Sequence, residues 1–236
     1  MKKTSLRLIS LVLICVLLSA LLAGCRKTAE ITTSPEETTQ AFDPIAYVKG
    51  GLDAVYLGEY SDEYLAMLGS ETAESCAERY ERGMQVSLDV FCAYFGIDLE
   101  NCSESVREQH LDLMRRMYKC AKYEVSDAQE NDGVCTVKVT VSPVAAVAKA
   151  VEEDYPSFSA DAANKIASGQ LDKSSQSFND WWAGSICSMV SSRLTSPEYL
   201  DAQTVTVTLE KNSAGAYAFS GTSLSDVDAL IISYPA

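Results

Sequence analysis

The chain has 236 residues, with 33 Asp and Glu against 19 Lys and Arg, a single His, and a formal net charge of −14 at pH 7. That balance argues against nucleic-acid binding, which needs Lys and Arg gathered on one face to neutralise phosphates. It argues equally against flat docking on an anionic bilayer through a polybasic patch, and plain solubility accounts for the excess acid without any partner.

The N-terminus carries Lys2, Lys3 and Arg7, followed by an uncharged, Leu-rich run over residues 8–23 and the tetrapeptide Leu22-Ala23-Gly24-Cys25. A basic start, an apolar stretch and small residues at a cut site are the parts of a secretory signal. The run of 16 residues is short for a spanning helix, which wants about 20. The closing tetrapeptide resembles the lipobox of bacterial lipoproteins. That resemblance implies diacylglycerol on the Cys25 thiol, cleavage just before it, and a signal peptide over residues 1–24. Lys2, Lys3 and Arg7 would leave with the signal and no acidic residue would, so the mature chain carries 16 basic against 33 acidic residues, a net −17. Residues 25–41 follow as the lipidated Cys and a Thr, Glu and Ser-rich tether with Pro35 and one large aliphatic residue, Ile31. Such composition cannot bury a core, and sixteen flexible residues reach roughly 20 Å.

Residues 42–236 read as a single domain, with two similar halves at 42–143 and 144–236. Asp43-Pro44 pairs an N-cap residue with Pro at the first helical position. Ile45, Val48, Leu52 and Val55 then recur at helical spacing up to Gly58. A short helix is expected over residues 62–68 and a long one over 71–95, with Ala73, Cys76, Tyr80, Met84, Leu88, Phe91 and Phe95 on one stripe and Gly96 at its end. Ser105-Val106-Arg107-Glu108 has the form of a capping box and predicts a helix to about Cys120, with Val106, His110, Leu113 and Met117 on one face. The period then changes to two. Tyr123 and Val125, then Cys135, Val137, Val139 and Val141, alternate with polar residues around the turn Asn131-Asp132-Gly133, which predicts an antiparallel hairpin with one wet face. Pro143 ends it.

The second half repeats the order. Val144, Val147 and Val151 predict a helix stopping before Pro156, a short helix is expected over 159–167, and 169–177 reads as a polar loop. Phe178, Trp182, Ile186, Met189 and Arg193 share one helical face ending before Pro197. Val205, Val207 and Leu209 alternate with Thr204, Thr206, Thr208 and Glu210, and a turn at 212–215 leads to Tyr217 and Phe219. The apolar tail 227–232 reads as a last strand or a packed segment. The expected fold is α+β, with helices packed on one face of an antiparallel sheet built from two hairpins.

The stretch 43–143 carries DPIAYVKGGLDAVYLGEY, AKYEV and TVKVTVSP, and with the lipobox and tether it resembles the lipoproteins of Gram-positive, Firmicutes-type bacteria that have no assigned activity. The resemblance implies a helix-on-sheet domain of cystatin or nuclear-transport-factor-like kind, held at the extracytoplasmic face of the cell membrane. It implies no activity. The stretch 157–197 departs from the short form of those folds.

Candidate chemistry is sparse. Cys76, Cys92, Cys102, Cys120, Cys135 and Cys187 remain after Cys15 leaves and Cys25 is acylated. Six thiols in an exported chain permit a disulfide framework, but none has metal-ligand spacing and most fall at apolar positions, where free Cys packs as a small hydrophobe. Cys76 and Cys92 lie about 24 Å apart along one helix and cannot pair. His110 has no second His beside it, so neither a metal site nor a catalytic role is expected. Glu152-Glu153-Asp154 reads as a solvated face, because adjacent helical residues diverge. No calcium, nucleotide or nucleophile-elbow motif occurs, and no cofactor is expected. Trp181-Trp182 stands out, since neighbouring helical residues cannot both face one core. One ring should reach an edge or groove where it could stack on a sugar or a protein partner.

The expected function is therefore a non-enzymatic, lipid-anchored binding or interaction domain, joined to the membrane through Cys25. Its expected partner is a small ligand, peptide or envelope protein and no nucleic acid, with Trp181 and Trp182 as candidate ligand contacts. A cell-envelope hydrolase and a self-associating structural subunit are the alternatives.

Overall fold

The structure, a computed structural model, describes residues 42–69, 71–213 and 215–235. The signal, the lipobox, Cys25 and the tether therefore lie outside the described residues.

Asp43 opens α1 (Pro44–Leu52) as expected: its carboxylate accepts from the Ile45 and Ala46 N–H groups at 2.9 and 3.1 Å. The helix then loosens into a π turn, Asp53–Leu57, that ends at Gly58 in the left-handed region (φ 67°). The short α2 (Asp62–Leu68) is capped by Ser61. The longest helix, α3 (Ala73–Phe95), buries Cys76, Met84, Leu88, Phe91 and Phe95 on the predicted stripe. A capping box that pattern reading missed starts it, with Thr72 and Ser75 exchanging side-chain-to-backbone bonds at 3.2 and 3.1 Å. A 3₁₀ turn at Leu99–Asn101 leads to α4 (Glu104–Tyr118). Here the expected capping box at Ser105 does not form. Ser103 takes the N-cap position, and its N–H is satisfied from another helix, by the Asp180 carboxylate at 2.7 Å.

The sheet has the order β1-β2-β3-β4, antiparallel throughout. Strands β1 (Lys122–Asn131) and β2 (Val134–Ser142) form the first hairpin, with Asp132 and Gly133 both at positive φ (49° and 81°), the geometry of a tight two-residue turn. A bulge between Ser126 and Gln129 breaks the register of β1, an edge strand. Strands β3 (Gln203–Lys211) and β4 (Tyr217–Phe219) form the second hairpin. Val137 pairs with Val207 and Cys135 with Leu209 across the join, so the residues predicted to point inward do so together. Glu124, Lys138, Thr204 and Thr206 face water on the other side.

Two helices lie directly on the apolar face: α1, and α8 (Ser223–Ile231). The tail is thus a helix rather than a strand. Val227 and Ile231 are one turn apart and both buried, which an apolar run read without its period concealed. Outside them, α3 and α4 pack together, with α7 (Gln176–Arg193) against α4. One buried cluster, from Val48 and Phe91 through Val137 to Ile186 and Ile231, draws on both halves of the chain.

Between β2 and β3 the helix does not stop at Pro156. Helix α5 (Ala146–Lys149) runs into a π segment, Ala150–Asp154, and then into α6 (Tyr155–Ala167). Pro156 is the second residue of α6, at the junction where the π segment gives way to the α-helix and the Tyr155 N–H still bonds back to the Ala150 carbonyl.

Gly83 in α3 and Gly184 in α7 are mid-helix glycines around which an added Cβ meets nothing within 4 Å. Replacing either by Ala should therefore stabilise the fold by about 0.5–1 kcal/mol through the unfolded chain's lost freedom. Chemical denaturation should show a raised midpoint at unchanged slope.

Candidate functional site

Helices α6 and α7 and the π segment Ala150–Asp154 bring aromatic rings and ion pairs together outside the core. Trp181 and Trp182 leave α7 in adjacent directions, as their spacing requires. Trp182 is half-buried and its indole N–H donates to the Phe95 carbonyl at the end of α3 (3.1 Å). Its ring lies 4.9 Å from Phe158, 6.2 Å from Tyr155 and 6.1 Å from Phe178. Trp181 is also half-buried, 5.2 Å from Phe158, with the Lys165 ammonium 5.2 Å from its centroid. Both tryptophans thus back onto one ring, Phe158.

Phe158 in turn lines a shallow, widely open surface groove of about 790 Å³ together with Asp154, Ser157, Asp161, Ser188, Met189, Ser192 and Arg193. Its walls are tied by ion pairs. Arg193 reaches Asp154 Oδ2 through Nε and Nη2 (3.2 and 2.7 Å) and Glu153 through Nη1 (2.7 Å). Lys149 reaches the same Glu153 at 3.2 Å, and Lys165 holds Asp161 Oδ2 at 2.6 Å. Hydrogen bonds from Arg193 and Lys149 hold the Glu153 carboxyl below its ordinary range. The acidic run is therefore more than a solvated face. The π segment and the forked guanidinium let one arginine take two successive carboxylates, which an ideal helix would have pointed apart. Arg193 also lines a smaller recess of about 200 Å³ with Ala145, Lys149 and Glu198.

His110 lies elsewhere, fully buried on α4, with Nδ1 2.8 Å from the Val106 carbonyl and Nε2 unpartnered. Burial lowers its pKa, while the Val106 carbonyl and, less closely, that of Ala183 pull the other way. A His whose folded pKa lies below its unfolded value of about 6.5 binds fewer protons folded than unfolded, so stability falls as pH drops below about 6.5 and is fully present above it. As the sole His, it gives a clean test. The melting temperature should fall between about pH 7 and pH 5, and His110→Met should flatten that fall.

All six described cysteines are free thiols, five of them buried. Burial, named first for each, pushes every one above its ordinary pKa, Cys92 to about 12. Among the described residues no group of three His, Cys, Asp or Glu could hold a metal ion, and no helix is long and apolar enough to cross a membrane.

Both tryptophan rings are half-buried, and that the two neighbours leave α7 in different directions was legible. The groove beside them was not, because it needs Asp161 and Ser188, from helices separated by a loop, brought to one wall.

No protein-family model matches the chain, and a comparison with curated proteins gives no match. Among solved structures, the chain is similar in fold to a Bacillus subtilis subsp. subtilis protein described as a "putative lipoprotein (ycdA)", with a TM-score of 0.53 and 12% identity over 80% of this chain. The matched region spans 56% of that protein's length.

Proposed function

We propose that the chain is an extracytoplasmic lipoprotein of a Gram-positive bacterium, acylated on Cys25. In this reading it is a binding domain whose ligand site is the groove between α6 and α7. The membrane part of the reading rests on the lipobox and tether, and the lipoprotein description of the Bacillus neighbour agrees with it. The helix-on-sheet layout fits a cystatin or nuclear-transport-factor-like domain, with α5 to α7 as the departure between β2 and β3.

One observation carries the placement of the site. Phe42, where the tether joins, stacks on Tyr217 at 4.5 Å and meets Tyr47, which contacts Tyr64 beside Cys76 at the start of α3. The groove adjoins the other end of α3, through the contacts of Phe95 with Tyr155 and Trp182. Nineteen residues of helix between Cys76 and Phe95 rise about 28 Å. The tether thus attaches at one end of the molecule and the groove opens at the other, which suits capture of a ligand away from the membrane. Binding is favoured over hydrolysis because His110 is sealed in the core and burial suppresses the thiolate at each described cysteine.

A photo-crosslinking amino acid in place of exposed Ser188 should capture an envelope component in cells, and the same substitution at exposed Thr206 on the wet face of the sheet should not. Capture at Thr206 alone would move the site to the sheet.

A further inference from the structure

We infer that the groove binds a neutral, hydroxyl-rich ligand, a pyranose saccharide, an inference that rests on the reading of the groove as the ligand site. The charge pattern decides the class. Every charged side chain at the groove is already matched: Glu153 and Asp154 with Arg193 and Lys149, and Asp161 with Lys165. A phosphate would find its arginine engaged by two carboxylates, and a cationic peptide would find the charge of both aspartates already offset by Arg193 and Lys165. Neither gains the unpaired opposite charge that draws a charged ligand in.

What the pairs leave open is hydrogen-bonding capacity. Arg193 and Lys165 both use Oδ2 of their aspartates, so Oδ1 of Asp154 and Oδ1 of Asp161 remain as acceptors. A carboxylate offers about four lone-pair positions, more than these contacts consume. Ser188 adds an exposed hydroxyl able to donate or accept. Hydroxyls of a sugar are both donors and acceptors and suit such a mixed set. The apolar part fits as well. Phe158 and Met189 line the same groove, and an aromatic ring favours the C–H face of a pyranose. The carboxylates are held in place by their cations and the phenyl ring by Trp181 and Trp182, so the set is ordered before a ligand arrives.

The two tryptophans are the chain's only ones, and both touch Phe158, so intrinsic fluorescence reads the groove directly. The full chain in detergent micelles would be titrated with chitobiose and maltose to about 10 mM, above the millimolar constants of weak binders. Purified wall glycan strands would be added in parallel to separate a polymeric source from a free one, with inorganic phosphate and trilysine as charged probes. A saturable change with a saccharide is expected, none with phosphate or trilysine, and at least a tenfold weaker half-saturation in Ser188→Leu and in Asp161→Leu at unchanged melting temperature. A trilysine or phosphate response that Ser188→Leu abolishes, with no saccharide response, would overturn the ligand class and leave the groove standing. Saccharide saturation indifferent to both variants would remove the groove as well. No response to any saccharide would also overturn the inference.

Discussion

Cys25→Ala, with residues 1–24 exchanged for a secretory signal whose cleavage needs no cysteine, is expected to move the protein from the membrane fraction to the soluble fraction almost completely. Buried acyl methylenes contribute about 0.8 kcal/mol each, and one chain alone binds only marginally whereas two anchor stably. A diacylglycerol thioether supplies two chains through a single sulfur, so losing that sulfur removes the whole attachment. Nothing among the described residues compensates. With the proposed leader removed the chain would carry net −17, and no helix among the described residues is long and apolar enough to span a bilayer. Fractionation of cells expressing each form, followed by immunoblotting, measures the effect. Full retention of the alanine variant in the membrane pellet would mean that something other than Cys25 holds it there.

Gly50→Ala should be the most damaging single-methyl change in the domain. Gly50 lies on α1 where α2 crosses it, and a Cβ there would sit 2.6 Å from Cδ2 and Cγ of Tyr64 and 2.7 Å from its Cβ. The last contact matters most, because Tyr64 Cβ is fixed to the backbone and cannot swing aside, so the two helices must separate. Overpacking of this kind costs about 3 kcal/mol, which for a domain of this size lowers the melting temperature by roughly 6–12 °C. Gly51→Ala meets the far end of the Phe219 ring at 2.8 Å and should cost less, since a ring tip can yield. The contrast with the stabilising changes expected at Gly83 and Gly184 is sharp: one residue type, four helical positions, and the sign set by what stands opposite. Thermal melts of the three alanine variants at positions 50, 51 and 83 would rank them in that order of damage.

Much of this architecture could be read from residue order. The two hairpins were legible because β2 and β3 each bury one face, so Val137, Val139 and Val207 alternate with Lys138, Thr140 and Thr206 without interruption. Helices α3 and α4 were legible for the parallel reason at period 3.6. What escaped were places where the period slips. The π segments at Asp53–Leu57 and Ala150–Asp154 insert extra residues per turn, so a stripe read at fixed spacing runs off the face that it actually covers. That slip hid the continuity of α5 with α6 and made Pro156 look like a stop. One cap depended on a partner far away: the Ser103 N–H is satisfied by Asp180, a residue no local motif names. The groove escaped for the same reason. Arg193, Asp154 and Phe158 gain meaning only when α6 and α7 lie side by side.

The central claim is that the domain is held by its acylated end and presents the groove away from the bilayer. Trp181 and Trp182 mark the groove end, and Phe42 marks the tether end. With the full chain inserted in vesicles of brominated lipid, quenching of tryptophan fluorescence measures their approach to the acyl chains. The account predicts emission equal to that in unbrominated vesicles, together with co-flotation of the protein. Strong quenching in the floating fraction would place the tryptophan end in the membrane and contradict the account.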